Sequence, residues 1–149
     1  MAIDRGAGTE IIRSVLLHDV NSTGRNVIFG EQHHIYTILN ITVFASTIQA
    51  NGNFINCNIK GYDVIDGTSQ DFIAIFKQDM GLAKTFVWDT KFSFNGHEPI
   101  DFTGPLDSVA KQDAIADQGS SVPQLLIINA ENASDGFDVT CTYIDQNNA

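Results

Sequence analysis

The chain has 149 residues, 43% of them hydrophobic, and carries 18 acidic against 8 basic side chains for a net charge of −10. That length supports one globular domain around one core, and the charge argues against nucleic acid and membrane surfaces as partners, because both present negative phosphates. No apolar run approaches the ~20 residues of a membrane-spanning helix, and "MAIDRGAGTE" lacks the basic start and apolar stretch of a secretory signal.

The inventory favours sheet. Ile, Val and Thr number 18, 9 and 11, against 7 Leu, 4 Glu and 5 Lys. Branched side chains keep their preferred rotamers in strands, and the good helix formers are scarce. Twelve Gly, twelve Asn and fourteen Asp supply turn chemistry.

In chain order, "EIIRSVLLHDV" (10–20) reads as a first strand, with a short helix as the competing fit. "RNVIFGE" (25–31) is a short strand after the turn residues "NSTG". In "HHIYTILNITVFAS", strict alternation puts His33, Ile35, Thr37, Leu39, Ile41, Val43 and Ala45 on a core face, with Tyr36 and Ile38 on a mixed one. "QANGN" (49–53) contains Asn-Gly, the positive-φ signal of a tight hairpin, so residues 33–61 are expected to form one. "DFIAIF" (71–76) is a short strand. "KTFVWDTKFSFN" (84–95) alternates cleanly, with Phe86, Trp88, Thr90, Phe92 and Phe94 on one face. Such an aromatic stripe is either a sugar-stacking platform or sheet core, and core is the commoner use. "LDSVAKQDAIAD" (106–117) is the one plausible helix, its apolar face thin, with a mobile acidic loop as the competing fit. "QLLIIN" (124–129) and "FDVTCTYI" (137–144) close the sheet, the latter with Phe137, Val139, Cys141 and Tyr143 inward, and "DQNNA" is expected to fray. The fold class is therefore all-β: a single-domain β-sandwich of seven or eight strands, with the jelly roll as one form of it, and at most one short helix.

The chemistry-bearing residues do not assemble into a motif. His33 and His34 would point to opposite faces of a strand and cannot chelate one ion together, so they read as a strand entrance. Cys57 and Cys141 fall on apolar faces and read as buried thiols, with a single bridge between them left open. No nucleophile elbow or phosphate loop is present. Glu98 and Asp101 could pair as carboxylates, and Asn132, Asp135 and Asp138 faintly suggest a calcium loop, which an Asp-Gly hairpin turn explains more simply. These residues indicate no enzyme, no metal and no cofactor.

Charge is unevenly placed. Residues 1–30 hold Asp4, Glu10 and Asp19 against Arg5, Arg13 and Arg25, so the entire −10 lies in residues 31–149. Arginine suits interfaces because its planar fork makes several oriented hydrogen bonds. Residues 1–14 are accordingly taken as an N-terminal arm on a domain of residues 15–149, with Ile3, Arg5, Ile11, Ile12 and Arg13 as partner-binding candidates; an ordinary first strand is the alternative.

The neutral start "MAIDRGAGTEIIRS", the stretch "IYTILNITVFASTIQANGNFINCNIKGYD", the aromatic "TFVWDTKFSFNG" and the ending "FDVTCTYIDQNNA" together resemble the small capsid decoration (cement) proteins of tailed bacteriophages. The resemblance implies a β-rich fold, a homo-trimer, and binding to the major capsid protein on the virion exterior after synthesis in the bacterial host cytoplasm. It carries over no residue-level motif. A carbohydrate- or receptor-binding β-sandwich of a tail or fibre is the alternative, with Trp88 or Tyr36 as its platform.

Overall fold

Among the described residues, strands adjacent in this chain are, with two exceptions, not adjacent in a sheet. In the computed structural model, which describes residues 9–62, 70–99, 105, 107–117 and 121–147, the elements run β1 (Thr9–Val20), β2 (Arg25–Phe29), β3 (His34–Thr47), β4 (Phe54–Tyr62), β5 (Gln70–Asp79), β6 (Thr85–Trp88), β7 (Phe92–Asn95), β8 (His97–Pro99), α1 (Val109–Asp117), β9 (Ser121–Pro123), β10 (Leu125–Ala130) and β11 (Gly136–Asn147). Sheet A has the order β1-β11-β3-β6, with β7 following β6 along β3; sheet B has the order β2-β10-β4-β5. All pairings are antiparallel. With β6 and β7 taken as one interrupted strand, each sheet has four strands, and the chain changes sheet at nearly every connection, which is the jelly-roll form of the sandwich.

The expected hairpin over 33–61 does not form. β3 and β4 lie in different sheets, and the Asn51-Gly52 turn carries the chain between them. Gly52 sits at φ +91°, its N–H donates to Met80 O at 3.0 Å, and Met80 N–H donates to Asn53 O at 2.9 Å, so the turn is pinned to the end of β5. Each strand has one apolar face, and stacking those faces buries both, which edge pairing would not do. The Asp135-Gly136 turn likewise joins β10 of sheet B to β11 of sheet A and is not a hairpin.

A bulge divides β3. Thr142 pairs with Asn40 but Tyr143 with Ile38, leaving Leu39 as an extra residue. One extra residue reverses the alternation beyond it. Ile41, Val43 and Ala45 are buried as expected, whereas on the other side Tyr36 and Ile38 are buried instead of Ile35 and Thr37. The neighbouring aromatic strand breaks opposite the same place. Trp88 pairs with Ile41 and Phe92 with Ile38, and residues 89–91 loop out between β6 and β7. Phe86, Trp88, Phe92 and Phe94 all turn inward, where Phe76 of sheet B stacks on Phe86 and Trp88 with centroids 5.1 and 5.7 Å apart.

β11 is the central strand of sheet A, between β1 and β3, and runs to Asn147. The ending expected to fray is therefore ladder as far as Asn147, with Asp145 paired to both Ile11 and Tyr36. At the other terminus, Thr9–Ser14 of the expected arm form the first half of β1; Ile3 and Arg5 lie outside the described residues. Cys57 of β4 and Cys141 of β11 are free thiols, fully buried on the facing inner surfaces of the two sheets. Ser108 caps α1, its hydroxyl accepting from Lys111 N–H at 3.2 Å.

Two glycines close one end of the sandwich. Gly30 N–H donates to Gln124 O at 2.8 Å, Gln124 N–H to Gly96 O at 2.9 Å, and Gly96 N–H to His34 O at 2.7 Å, so the flanks of β2, β3, β7 and β10 cross as bare backbone. A Cβ on Gly30 would meet Gly96 O at 2.1 Å, and one on Gly96 would meet Glu31 O at 1.9 Å. Backbone cannot step aside as a flexible side chain can, so Gly96→Ala should destabilise by about 3 kcal/mol or more. Gly52→Ala meets nothing within 4 Å and strains only its φ, at about 1–2 kcal/mol. Urea denaturation of the two variants checks the order.

Candidate functional site

Between its two ends, the outer face of sheet A carries no charged side chain on its paired strands. Register places its outward side chains in rows: Ile12, Ile144, Thr37, Ser93; then Ser14, Thr142, Asn40; then Leu16, Thr140, Thr42, Val87. Charged outward residues occur only at the ends, Glu10 beside Gln146 and Asp138 beside Phe44. Ile12, Leu16 and Val87 are 71%, 59% and 52% exposed. Four of these hydroxyls are already partnered within the sheet, Ser14 with Thr142 at 3.2 Å and Thr37 with Ser93 at 2.9 Å. Covering this face with another protein therefore strands few polar groups. Sheet B differs: its outer rows hold Lys60 over Phe72 and Lys77 over Phe54, with Asp79 beside them.

Beneath the Glu10 end of the neutral face lies a buried ionic cluster. The two-residue period that turns Phe137, Val139, Cys141 and Tyr143 inward extends to Asp145, which is 5% exposed. Its Oδ1 takes His34 Nδ1 at 2.5 Å and its Oδ2 lies 3.6 Å from Arg13 Nε; His34 Nε2 in turn reaches Glu31 Oε2 at 3.4 Å. Tyr36 packs against His34, Phe94 and Tyr143, and its hydroxyl accepts from Glu31 N–H at 3.1 Å. Both imidazole nitrogens are thus held by carboxylates, which leaves neither to activate a nucleophile. The cluster is a clamp joining β1, β3 and β11. The histidine pair does stand at the strand entrance, with His33 in the preceding turn at φ +65° and His34 as the first residue of β3.

The structure sorts the sequence candidates. Ile12 stands on the neutral face; Ile11 is on the inner side of β1 opposite Asp145, and Arg13 is tied to Asp145. Arg25, the other described arginine, donates to His18 O at 3.3 Å. Tyr36 is buried and Trp88 is packed on the core, so neither offers a platform for sugar. Asp135 is a staple: its carboxylate accepts from Gln49 N–H, Asn132 N–H and the Asn53 amide. His18 bonds Asp138 and His97 bonds Ser121, so these histidines are not brought together. Glu98 accepts from the Asn95 amide at 2.8 Å, and Asp101 lies outside the described residues. Among the described residues no three of His, Cys, Asp and Glu are grouped to hold a metal. No single residue of the neutral face signals itself in sequence, because Thr, Ser and exposed Ile read as ordinary strand; its signal is the missing charge across four strands.

No known family model matches the chain, and no curated protein matches its sequence. Among solved structures it is similar to the infectious bursal disease virus Gx strain structure, with 6% identity and a TM-score of 0.47 over 100% of this chain. The T=1 particles derived from that virus give 6% and 0.41 over 99% of this chain, and its VP2 subviral particle 6% and 0.41 over 96%. The chain spans 37–38% of the length of those chains. The assignment as a jelly roll rests on the strand order of the chain itself.

Two outcomes follow from the clamp. Asp145→Asn removes the buried carboxylate that Arg13 and His34 share and should cost about 3 kcal/mol in urea denaturation; replacing Arg13, which is half exposed, should cost much less because water substitutes for the lost contact. Burial pushes the Tyr36 hydroxyl from 10.0 up to about 12 and the Cys141 thiol from 9.0 up to about 12, and raises Cys57 and Tyr143 as well. The folded state then holds protons that the unfolded chain has lost. Stability should be full below pH 9 and fall as pH rises through 9–12, more gently in Tyr36→Phe above pH 10.

Proposed function

We propose that this chain is a non-enzymatic structural protein of a virus particle, and that it decorates the outer surface of the capsid by docking the outer face of sheet A on the major capsid protein. The observation that carries the reading is the neutral face itself: a chain of net charge −10 keeps one sheet surface without charge between its ends and with four of its hydroxyls bonded to each other. A partner can dry such a face at little electrostatic cost, while carboxylates elsewhere keep a crowded particle soluble. Decoration requires contact area and no chemistry, in keeping with a histidine whose two nitrogens are both occupied. Jelly rolls serve as capsid and lectin domains alike, so the fold supports the reading without selecting it.

Four strands at about 4.8 Å spacing, followed for nine residues at about 3.4 Å each, make a face on the order of 600 Å². A standard interface takes about 800 Å² from each partner, so one copy alone would hold weakly and several together by avidity. Of the docking set expected from sequence, Ile12 belongs to this face, joined by Leu16 and Val87.

Co-expression with the major capsid protein of the same virus, followed by sedimentation of the assembled shells, tests the proposal. The chain should travel with the shells and stay bound at high salt, since a neutral contact is not screened. Val87→Glu should release it with the fold intact. Absence from the shells, together with selective retention on a glycan array, would replace this reading with the carbohydrate-binding one.

A further inference from the structure

Four strand edges terminate the two sheets, and three of them are guarded. The β6/β7 edge is broken into two four-residue pieces, and β2 has five residues. The β5 edge is interrupted by a bulge at Ile75 and carries Asp71, Lys77 and Asp79. Short, bulged or charged edges resist pairing with other chains. From Glu10 to Leu17 β1 is neither short nor bulged, and its charges there are Glu10, at the end of the stretch, and Arg13. It is paired in unbroken register with β11 along that length and, among the described residues, has no strand on its other side. Its single basic residue, Arg13, reaches back to Asp145 on β11 and so leans away from the edge.

We infer that β1 pairs antiparallel with β1 of a second copy across a two-fold axis at Ser14, fusing the two A sheets into one. A two-fold contact sets residue i against residue j with a constant sum, so the candidate registers can be compared directly. Centred on Ser14, the outward row reads Glu10 against His18, Ile12 against Leu16 and Ser14 against itself, and inward Ile11 meets Leu17 and Arg13 meets Val15. Acid faces imidazole and aliphatic faces aliphatic. Centred on Arg13, the two guanidiniums would oppose each other and Glu10 would meet Leu16. Centred on Val15, Ile12 would meet His18 and Ile11 would meet Asp19. Like charges directly opposite are destabilising and matched apolar pairs are stabilising, which selects Ser14. Beyond Leu17 the strand bulges at His18 and Asp19, and Asp19 turns to φ +54°, so the straight stretch ends at the Ile11–Leu17 pair with the Glu10–His18 pair at its margin.

The pairing does not depend on what the neutral face docks to, but it joins two such faces edge to edge and doubles the area offered. It is a contact between copies of this chain, distinct from the trimer that the resemblance to decoration proteins implies.

Light scattering and sedimentation equilibrium on the full chain test the pairing, with no shell present. The wild type should show twice the 16.3 kDa chain mass at high concentration and dissociate on dilution. Ile12→Lys with Leu16→Lys sets like charges opposite each other at both exposed positions and should leave only monomer. Ile12→Lys with Leu16→Glu restores attraction in this register alone and should bring the dimer back; circular dichroism confirms that both variants fold. A wild-type monomer or trimer, or a dimer indifferent to the two lysines, would overturn the pairing. Loss without recovery in the Lys/Glu variant would overturn the register. Shell binding is read separately with Val87→Glu, on the opposite edge of the sheet, so failure of docking and failure of pairing are distinguishable.

Discussion

Leu39, the extra residue in β3, sets which side chains meet across sheet A. Because side chains alternate with a period of two, the single insertion exchanges the faces of everything on the His34 side of it. Tyr36 and Ile38 thereby enter the core, and His34 comes to lie against Asp145. The adjacent aromatic strand meets the same irregularity and divides into β6 and β7, so that Trp88 still stacks on Phe76 and Phe92 still packs against the core. An unbulged β3 would turn Tyr36 and Ile38 outward onto the face that is now neutral and would leave the Asp145 carboxylate without its imidazole.

The buried clamp and the exposed face belong to one strand set. Asp145, Arg13 and His34 tie β11 to its two neighbours on the inside, while on the outside the same three strands present hydroxyls bonded to each other and isolated aliphatics. At the clamp end Arg13 and Asp145 bond each other on the inner side of the sheet, and Glu10 is the outward charge. That division suits the docking proposed above, since a dry contact between neutral surfaces survives salt and does not oppose the net charge of the rest of the chain. The bare-backbone crossing at Gly30 and Gly96 holds the same end of the sandwich shut, linking the flanks of both sheets where side chains have no room.

Much of the core was legible from composition and period. Val43 and Ala45, the aromatic stripe, and the Phe137–Tyr143 alternation all bury as their spacing indicates, and Ser108 caps the one short helix. The failures have specific causes. "QANGN" carries a hairpin signal because positive φ at Gly52 suits any tight reversal, and nothing local records whether the strands it joins lie side by side or face to face. "DQNNA" looks like a polar tail, and only the partners His34 and Arg13, more than a hundred residues away in sequence, make Asp145 a buried strand residue. Arg13 drew attention as a cation in a neutral segment, and its carboxylate lies on the last strand.

What the amino-acid order determined by itself was the class: β-branched abundance, alternation and turn residues require stacked sheets, and the acidic balance disfavours nucleic acid and membrane surfaces. Those properties are local or additive, so they survive without knowledge of neighbours. The tertiary structure decided the strand order, the position of the bulge, and the gathering of uncharged residues from five strands onto one surface. These depend on which distant segments lie side by side, and pairing between distant segments is settled by burying all the apolar faces at once.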